Sequence, residues 1–125
     1  MRKPRNRARE NEQRRERKRN NYEVHWAVTT IYNRGMIVEF TKDWLEQRAH
    51  ETKYCELCEV ELRWKPCEQH AMFPDTPTLD RISNERVLTK DNTMILCNSC
   101  NAGKGIMNLD EYIAKCKRIT NTNWR

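Results

Sequence analysis

The sequence predicts a small α+β domain stapled by a metal, and three observations carry that prediction. Two Cys-x-x-Cys pairs, Cys55/Cys58 and Cys97/Cys100, stand 38 residues apart. Between them lie two stretches of strand character, TLDRI and VLTKDNTMIL, around the turn-like Ser83-Asn84-Glu85-Arg86, and the chain turns helical after the second pair. The chain has only 125 residues, 34% of them charged, and a mean hydropathy of -1.06. That leaves little apolar material for a core, and domains so small and polar commonly depend on a metal or on disulfides.

The first segment, residues 1–21, contains no Val, Ile, Leu, Phe or Trp. Residues 1–20 hold ten Lys/Arg against three Glu, a charge of +7, whereas the other 105 residues sum to −1 of the total +6. Arg2, Lys3, Arg5, Arg7, Arg9, Arg14, Arg15, Arg17, Lys18 and Arg19 therefore form a basic arm. Such an arm suits a nucleic-acid backbone, where each displaced counterion adds affinity without reading sequence. It is expected either as a solvated helix with Glu/Arg pairs or as a segment that orders only on DNA.

Residues 22–40 bring the first apolar material, with Arg34-Gly35 as punctuation, and allow a short helix or a strand pair. Thr41 reads as an N-cap, with Asp43 in the first turn of a helix that reaches about His50 and carries Trp44, Leu45 and Arg48 on one side. Trp26, Trp44 and Trp64 are expected to pack, since large aromatics stabilise small cores. After Cys58 the alternation of EVELRW predicts a strand or hairpin, and PCEQHAMFPDTPT, with three prolines, predicts a loop. NAGKGIMN predicts a short helix ending at glycine, and Asn108 with Glu111 opens a last helix bearing Leu109, Tyr112, Ile113 and Cys116 on one face. His25 and His50 have no partner pattern. No run approaches the roughly 20 apolar residues of a membrane span and no apolar signal core follows the start, so a soluble, cytosolic chain is expected.

Cytosolic cysteines are reduced, which favours metal binding over disulfides. Two thiolates at Cys-x-x-Cys spacing reach one ion, and Cys55, Cys58, Cys97 and Cys100 complete a closed tetrahedral Zn²⁺ shell. A closed shell is structural and leaves any chemistry to other residues. Cys116 is expected in the core. Cys67, three residues before His70, supplies an alternative Cys-x-x-His ligand pair.

Taken together, these motifs resemble the HNH family of nucleases, whose core is a ββα-metal (His-Me finger) unit. The chain is most similar to the small HNH proteins of bacteriophages: a basic arm, a segment like GMIVEFTKDWLEQR, CxxC, LDRI, DN and LCxxCNxxKG follow in that order. The match spans Cys55 to Leu109, with Gly35 to Trp44 in addition. The resemblance implies domain limits of 1–21 for a DNA-contacting arm, 22–53 for an accessory segment, 54–119 for the nuclease unit with its zinc, and 120–125 for a frayed tail. It further implies Asp80 and Asn101 as oxygen ligands of a catalytic Mg²⁺ or Mn²⁺. Asn92 is then the brace of the loop between the strands, and Lys104 a cation near the DNA backbone. The implied activity is endonucleolytic hydrolysis of phosphodiester bonds in duplex DNA, by nicking or double-strand cleavage, in the cytosol of a phage-infected bacterium. A homodimer, or a phage packaging or replication partner, is compatible with that role.

The departure from the family pattern is Arg81, which stands where the family has its histidine base. Arginine stays protonated and has no acceptor, so it does not take a proton from water. Three readings follow: Arg81 clamps the scissile phosphate, His70 supplies the base, or the site is inactive. From side-chain type alone, Arg81 would simply pair with Asp80 or Glu85 at the surface. The competing functions are a catalytically inactive zinc-stabilised DNA-binding protein, such as a phage regulator or packaging accessory, and a zinc module that binds RNA or protein.

Overall fold

The computed structural model of the chain describes residues 6–20, 22–32, 37–66 and 72–123. Its elements are α1 (Arg7–Asn20), α2 (Tyr22–Tyr32), β1 (Ile37–Val38), α3 (Lys42–Glu51), β2 (Pro77–Arg81), β3 (Val87–Leu88), a 3₁₀ turn (Lys90–Asn92), β4 (Thr93–Cys97), α4 (Asn98–Lys104) and α5 (Leu109–Thr120). It is a mixed helix and strand architecture. Among the described residues no helix is long and apolar enough to cross a membrane.

The basic arm is helical from Arg7, with the Asn6 side chain accepting from the Arg9 amide at 3.2 Å as an N-cap would. In 22–40 the helical alternative prevails as far as Tyr32, and only Ile37–Val38 is strand. The face of α2 that carries Trp26 and Ala27 is buried. Trp26 donates its indole N–H to the Pro77 carbonyl at 3.0 Å and meets the Trp64 ring edge-on, with centroids 5.1 Å apart. Both ends of the amphipathic ring are thus satisfied in the core. Trp44 lies on Phe40, with centroids 4.7 Å apart. Thr41 caps α3 as its sequence predicts, accepting from the Trp44 amide at 3.1 Å, a bond worth about 1 kcal/mol. Leu45 and Ala49, one turn apart on α3, are buried.

One strand prediction needs correction, and of the two forms predicted for EVELRW the hairpin prevails over the strand. EVELRW forms no regular strand. A single bridge, Tyr54 to Glu61, closes a hairpin around Cys55–Cys58, flanked by Cys55 N to Val60 O and Leu62 N to Lys53 O. In the turn itself the amides of Leu57 and Cys58 point to the Cys55 sulfur. VLTKDNTMIL is broken in two. Val87–Leu88 joins β1 in parallel, and Thr93–Cys97 pairs antiparallel with β2 from Pro77↔Cys97 to Arg81↔Thr93. The break falls at Lys90–Asn92, which forms a 3₁₀ turn whose Asn92 side chain bonds Ser83.

β4 is buried along its whole length, and with Leu79, Leu88, Leu45, Phe40 and Trp26 it makes the core. The following helix begins at Asn98, inside the second cysteine pair, so Asn101 is its fourth residue and not its first. It ends at Gly105, whose φ of 57° favours glycine. Asn108 opens α5, but its side chain is turned outward: Oδ1 accepts from the Asn84 amide at 2.6 Å and Nδ2 donates to Glu111 at 3.3 Å. The expectation that Cys116 is core fails, because α5 has no buried residue. It packs through Leu109 and through Tyr112, whose hydroxyl would lie 2.8 Å from a Cβ at Gly103. Cys116 is half-buried beside a groove shared with Leu57, Cys58 and Cys100. In the predicted frayed tail, Thr120 still belongs to α5 and the Asn121 amide bonds Lys117 O at 3.0 Å; residues 124–125 lie outside the described set.

Candidate metal centres

The first centre is built from two amide-rich turns. The hairpin supplies Cys55 and Cys58, the end of β4 supplies Cys97, and the first turn of α4 supplies Cys100. Their four sulfur atoms lie within 4.8 Å of one another, and Cys58 Sγ is 3.7 Å from Cys97 Sγ. Four sulfurs held tetrahedrally at about 2.3 Å from one Zn²⁺ stand about 3.8 Å apart, so the cluster fits a structural metal such as zinc. A disulfide would need about 2.05 Å. The backbone tunes the sulfurs. Leu57 N and Cys58 N each reach Cys55 Sγ at 3.5 Å, and Cys100 N reaches Cys97 Sγ at 3.4 Å.

Burial pushes the Cys55 thiol up, but the amides around it and the Cys58 thiol more than offset this and bring it down to about 7. Cys97 and Cys100 are pushed up, first by burial and then by hydrogen bonds and negative charge within the cluster, although amide and thiol contacts from Cys100 act the other way on Cys97. The protein alone therefore ionises one of these sulfurs readily, and a divalent ion is what makes four thiolates compatible.

The knuckle is tied to the core by Glu56. Its amide bonds Ile95 O at 3.1 Å, and its carboxylate accepts from the Ile95 amide at 3.2 Å and from Arg48 Nη2 at 2.7 and 2.8 Å. Nothing in the spacing of the sequence signals this link. Glu59, just after the pair, holds a φ of 66°, a left-handed conformation that costs a side-chain-bearing residue about 1–2 kcal/mol. Glu59→Gly should therefore raise stability by about 0.5–1 kcal/mol after its extra chain entropy is counted, read as a higher thermal midpoint with zinc content unchanged. A lower midpoint would mean that the Glu59 side chain has a role of its own.

The residues expected to hold a catalytic ion lie on β2, at the turn before β4 and on α4. Asp80 is 7% exposed and sits opposite Met94 in the ladder. Its Oδ1 accepts from the Arg81 amide at 2.7 Å. Its Oδ2 is buried and accepts no hydrogen bond, although the Lys104 ammonium is 3.2 Å away, so that contact is coulombic rather than directed. Lys104, expected near the DNA backbone, is in fact 3% exposed and turned inward. Asn101 lies three residues before Lys104 on α4, which puts the two on one helix face. Asn92 grips the turn after β2: Oδ1 accepts from the Ser83 amide at 2.8 Å and from its hydroxyl at 3.0 Å, and Nδ2 donates to Ser83 O at 3.3 Å. Ser83 is the partner that motif reading missed. The Arg81 guanidinium donates to the backbone carbonyl of Glu85 at 2.9 Å, a main-chain bond in place of the surface ion pair that its residue type suggested.

Of the remaining predicted site residues, Arg7 and Arg9 are exposed on α1, and Arg14, Arg15, Arg17, Lys18 and Arg19 belong to the same helix. Arg2, Lys3, Arg5, Cys67 and His70 lie outside the described residues. No protein-family model matches the chain, and no curated protein or solved structure does.

Proposed function

We propose that the chain is a divalent-metal-dependent DNA endonuclease that hydrolyses phosphodiester bonds, on a scaffold held by a four-cysteine zinc centre. The observation that supports it best is the buried Oδ2 of Asp80, which accepts no hydrogen bond. A buried carboxylate needs a cation, and the Lys104 ammonium 3.2 Å away meets that need without a directed hydrogen bond, which leaves the lone pairs of Oδ2 available to a metal ion. The hard oxygen donors of Asp80 and Asn101 suit Mg²⁺ or Mn²⁺, and such an ion, when bound, polarises a phosphate and stabilises a leaving oxygen. Asn92 keeps the end of β2, and with it Asp80, in one position by fixing Ser83. Arg81, next in the strand, is a clamp for the phosphate, and α1 adds affinity along the DNA backbone without sequence preference.

A second reading has its own observation. Lys104 already neutralises Asp80, so the pair can be a purely structural bolt between α4 and β2 in a zinc-stabilised DNA-binding protein without catalysis. One experiment separates the two. Supercoiled plasmid is incubated with the protein and Mg²⁺ or Mn²⁺, beside Asp80→Ala and Asn101→Ala. Metal-dependent nicking that falls by at least about 10³-fold in both variants, the scale of losing a metal or transition-state contact, supports the nuclease. Retained salt-sensitive DNA binding with no nicking under either metal supports the binding protein.

A further inference from the structure

Among the described residues, Asp80 and Lys104 are the only buried charged side chains. We propose that Lys104 is a built-in counter-cation of the Asp80 site, which occupies the carboxylate until a divalent ion displaces it and so sets how tightly that ion binds. The inference rests on the metal reading of Asp80 given above.

The geometry favours one place for a cation. Oδ1 already gives one lone pair to the Arg81 amide at 2.7 Å, whereas Oδ2 has both free of hydrogen bonds, so incoming positive charge is best met at Oδ2. The Lys104 ammonium already sits 3.2 Å from that oxygen. A Mg²⁺ or Mn²⁺ ion bonded to the same oxygen at about 2.1 Å would lie within roughly 5 Å of the ammonium, and like charges that close repel strongly away from bulk water. The two cations therefore compete. Lys104 is the last residue of α4 and is followed by Gly105 in a left-handed conformation. Its four-carbon stem is flexible, so the ammonium can leave without moving the strands.

Competition of this kind has a signature that a structural lysine lacks. Removing the ammonium leaves Asp80 buried and uncompensated, which weakens the metal-free protein and strengthens metal binding. Zinc-loaded protein is titrated with Mn²⁺, and bound ion is followed by loss of the free Mn²⁺ resonance, for the wild type, Lys104→Met, Lys104→Gln and Asp80→Asn. Wild-type binding that Asp80→Asn abolishes is the reference. Lys104→Met and Lys104→Gln should then bind Mn²⁺ roughly 5- to 150-fold tighter, the usual span of coupling between linked sites. Their metal-free thermal midpoints should fall, and saturating Mn²⁺ should raise them by more degrees than it raises the wild type. If Lys104→Met loses its zinc or its helix signal, Lys104→Gln, which keeps a neutral donor, carries the comparison. Asp80-dependent binding that is unchanged or weaker in the folded variants overturns the counter-cation and leaves the metal reading standing. Absence of Asp80-dependent Mn²⁺ binding in the wild type overturns both.

Discussion

Cys97→Ser should unfold most of the molecule and release its zinc. Cys97 is fully buried, ends β4, pairs with Pro77 at the start of β2, and opens α4 by accepting from the Cys100 amide. Serine would keep the cap but not the thiolate. Structural zinc in comparable small sites is worth about 10–16 kcal/mol in apparent binding energy, as much as or more than the roughly 5–15 kcal/mol stability of a whole domain. The loss therefore exceeds what the core can absorb. The Glu56 links place the hairpin cysteines against β4, so the damage spreads from the knuckle into the β2–β4 pair. Purified wild type should carry one zinc per chain by elemental analysis, and the variant close to none, with its cooperative thermal transition gone. Cys116→Ser, at the half-buried groove, should keep one zinc and nearly the same midpoint. A folded Cys97→Ser protein with full zinc content would refute the four-cysteine centre, and so would a wild type indifferent to a strong chelator.

The four-cysteine cluster was legible because its logic is local. Two thiolates three residues apart share an ion whatever surrounds them, and Cys55, Cys58, Cys97 and Cys100 do converge. The Thr41 cap and the β2 stretch were legible for the same reason, since their signals lie within one turn or one ladder. The strand partners were not. VLTKDNTMIL has an apolar pattern that fits one long strand, and nothing in it says that Val87–Leu88 will leave to pair with Ile37–Val38, some 50 residues earlier. EVELRW alternates like a strand, but the amides before it are drawn to sulfur. Cys116 shows the limit of periodicity: an apolar stripe on α5 marks a face without stating how much of it is covered.

For the remaining site residues, the family resemblance points to Asp80, Asn92 and Asn101 but not to what holds them. Ser83 is an ordinary residue type at a position no motif marks. The family resemblance puts Lys104 near the DNA backbone, and only the structure reveals the carboxylate that draws it inward. Its three-residue spacing from Asn101 is the available signal, since it puts both on one face of α4.

Arg81→Ala should lower DNA cleavage by about 10²–10³-fold while leaving DNA affinity within roughly a few-fold, the pattern of a group that acts on the transition state more than on binding. At rest its guanidinium is held by the Glu85 carbonyl at 2.9 Å, one residue along the strand from Asp80. A phosphate offers a charge-assisted, bidentate partner roughly twice as strong as a neutral carbonyl, so the side chain can exchange one for the other when substrate arrives. Lysine lacks the planar fork, and Arg81→Lys should recover only part of the rate. The same chemistry dictates the pH dependence. Arginine does not titrate in the working range, so with hydroxide as the proton acceptor the rate should climb about tenfold per pH unit from 6 to 8 without levelling near 6.5. A plateau near 6.5 that disappears in His70→Ala would move the base to His70 while leaving the clamp intact. A large gain in Arg81→His would instead mean that the arginine occupies a damaged base position and holds no phosphate.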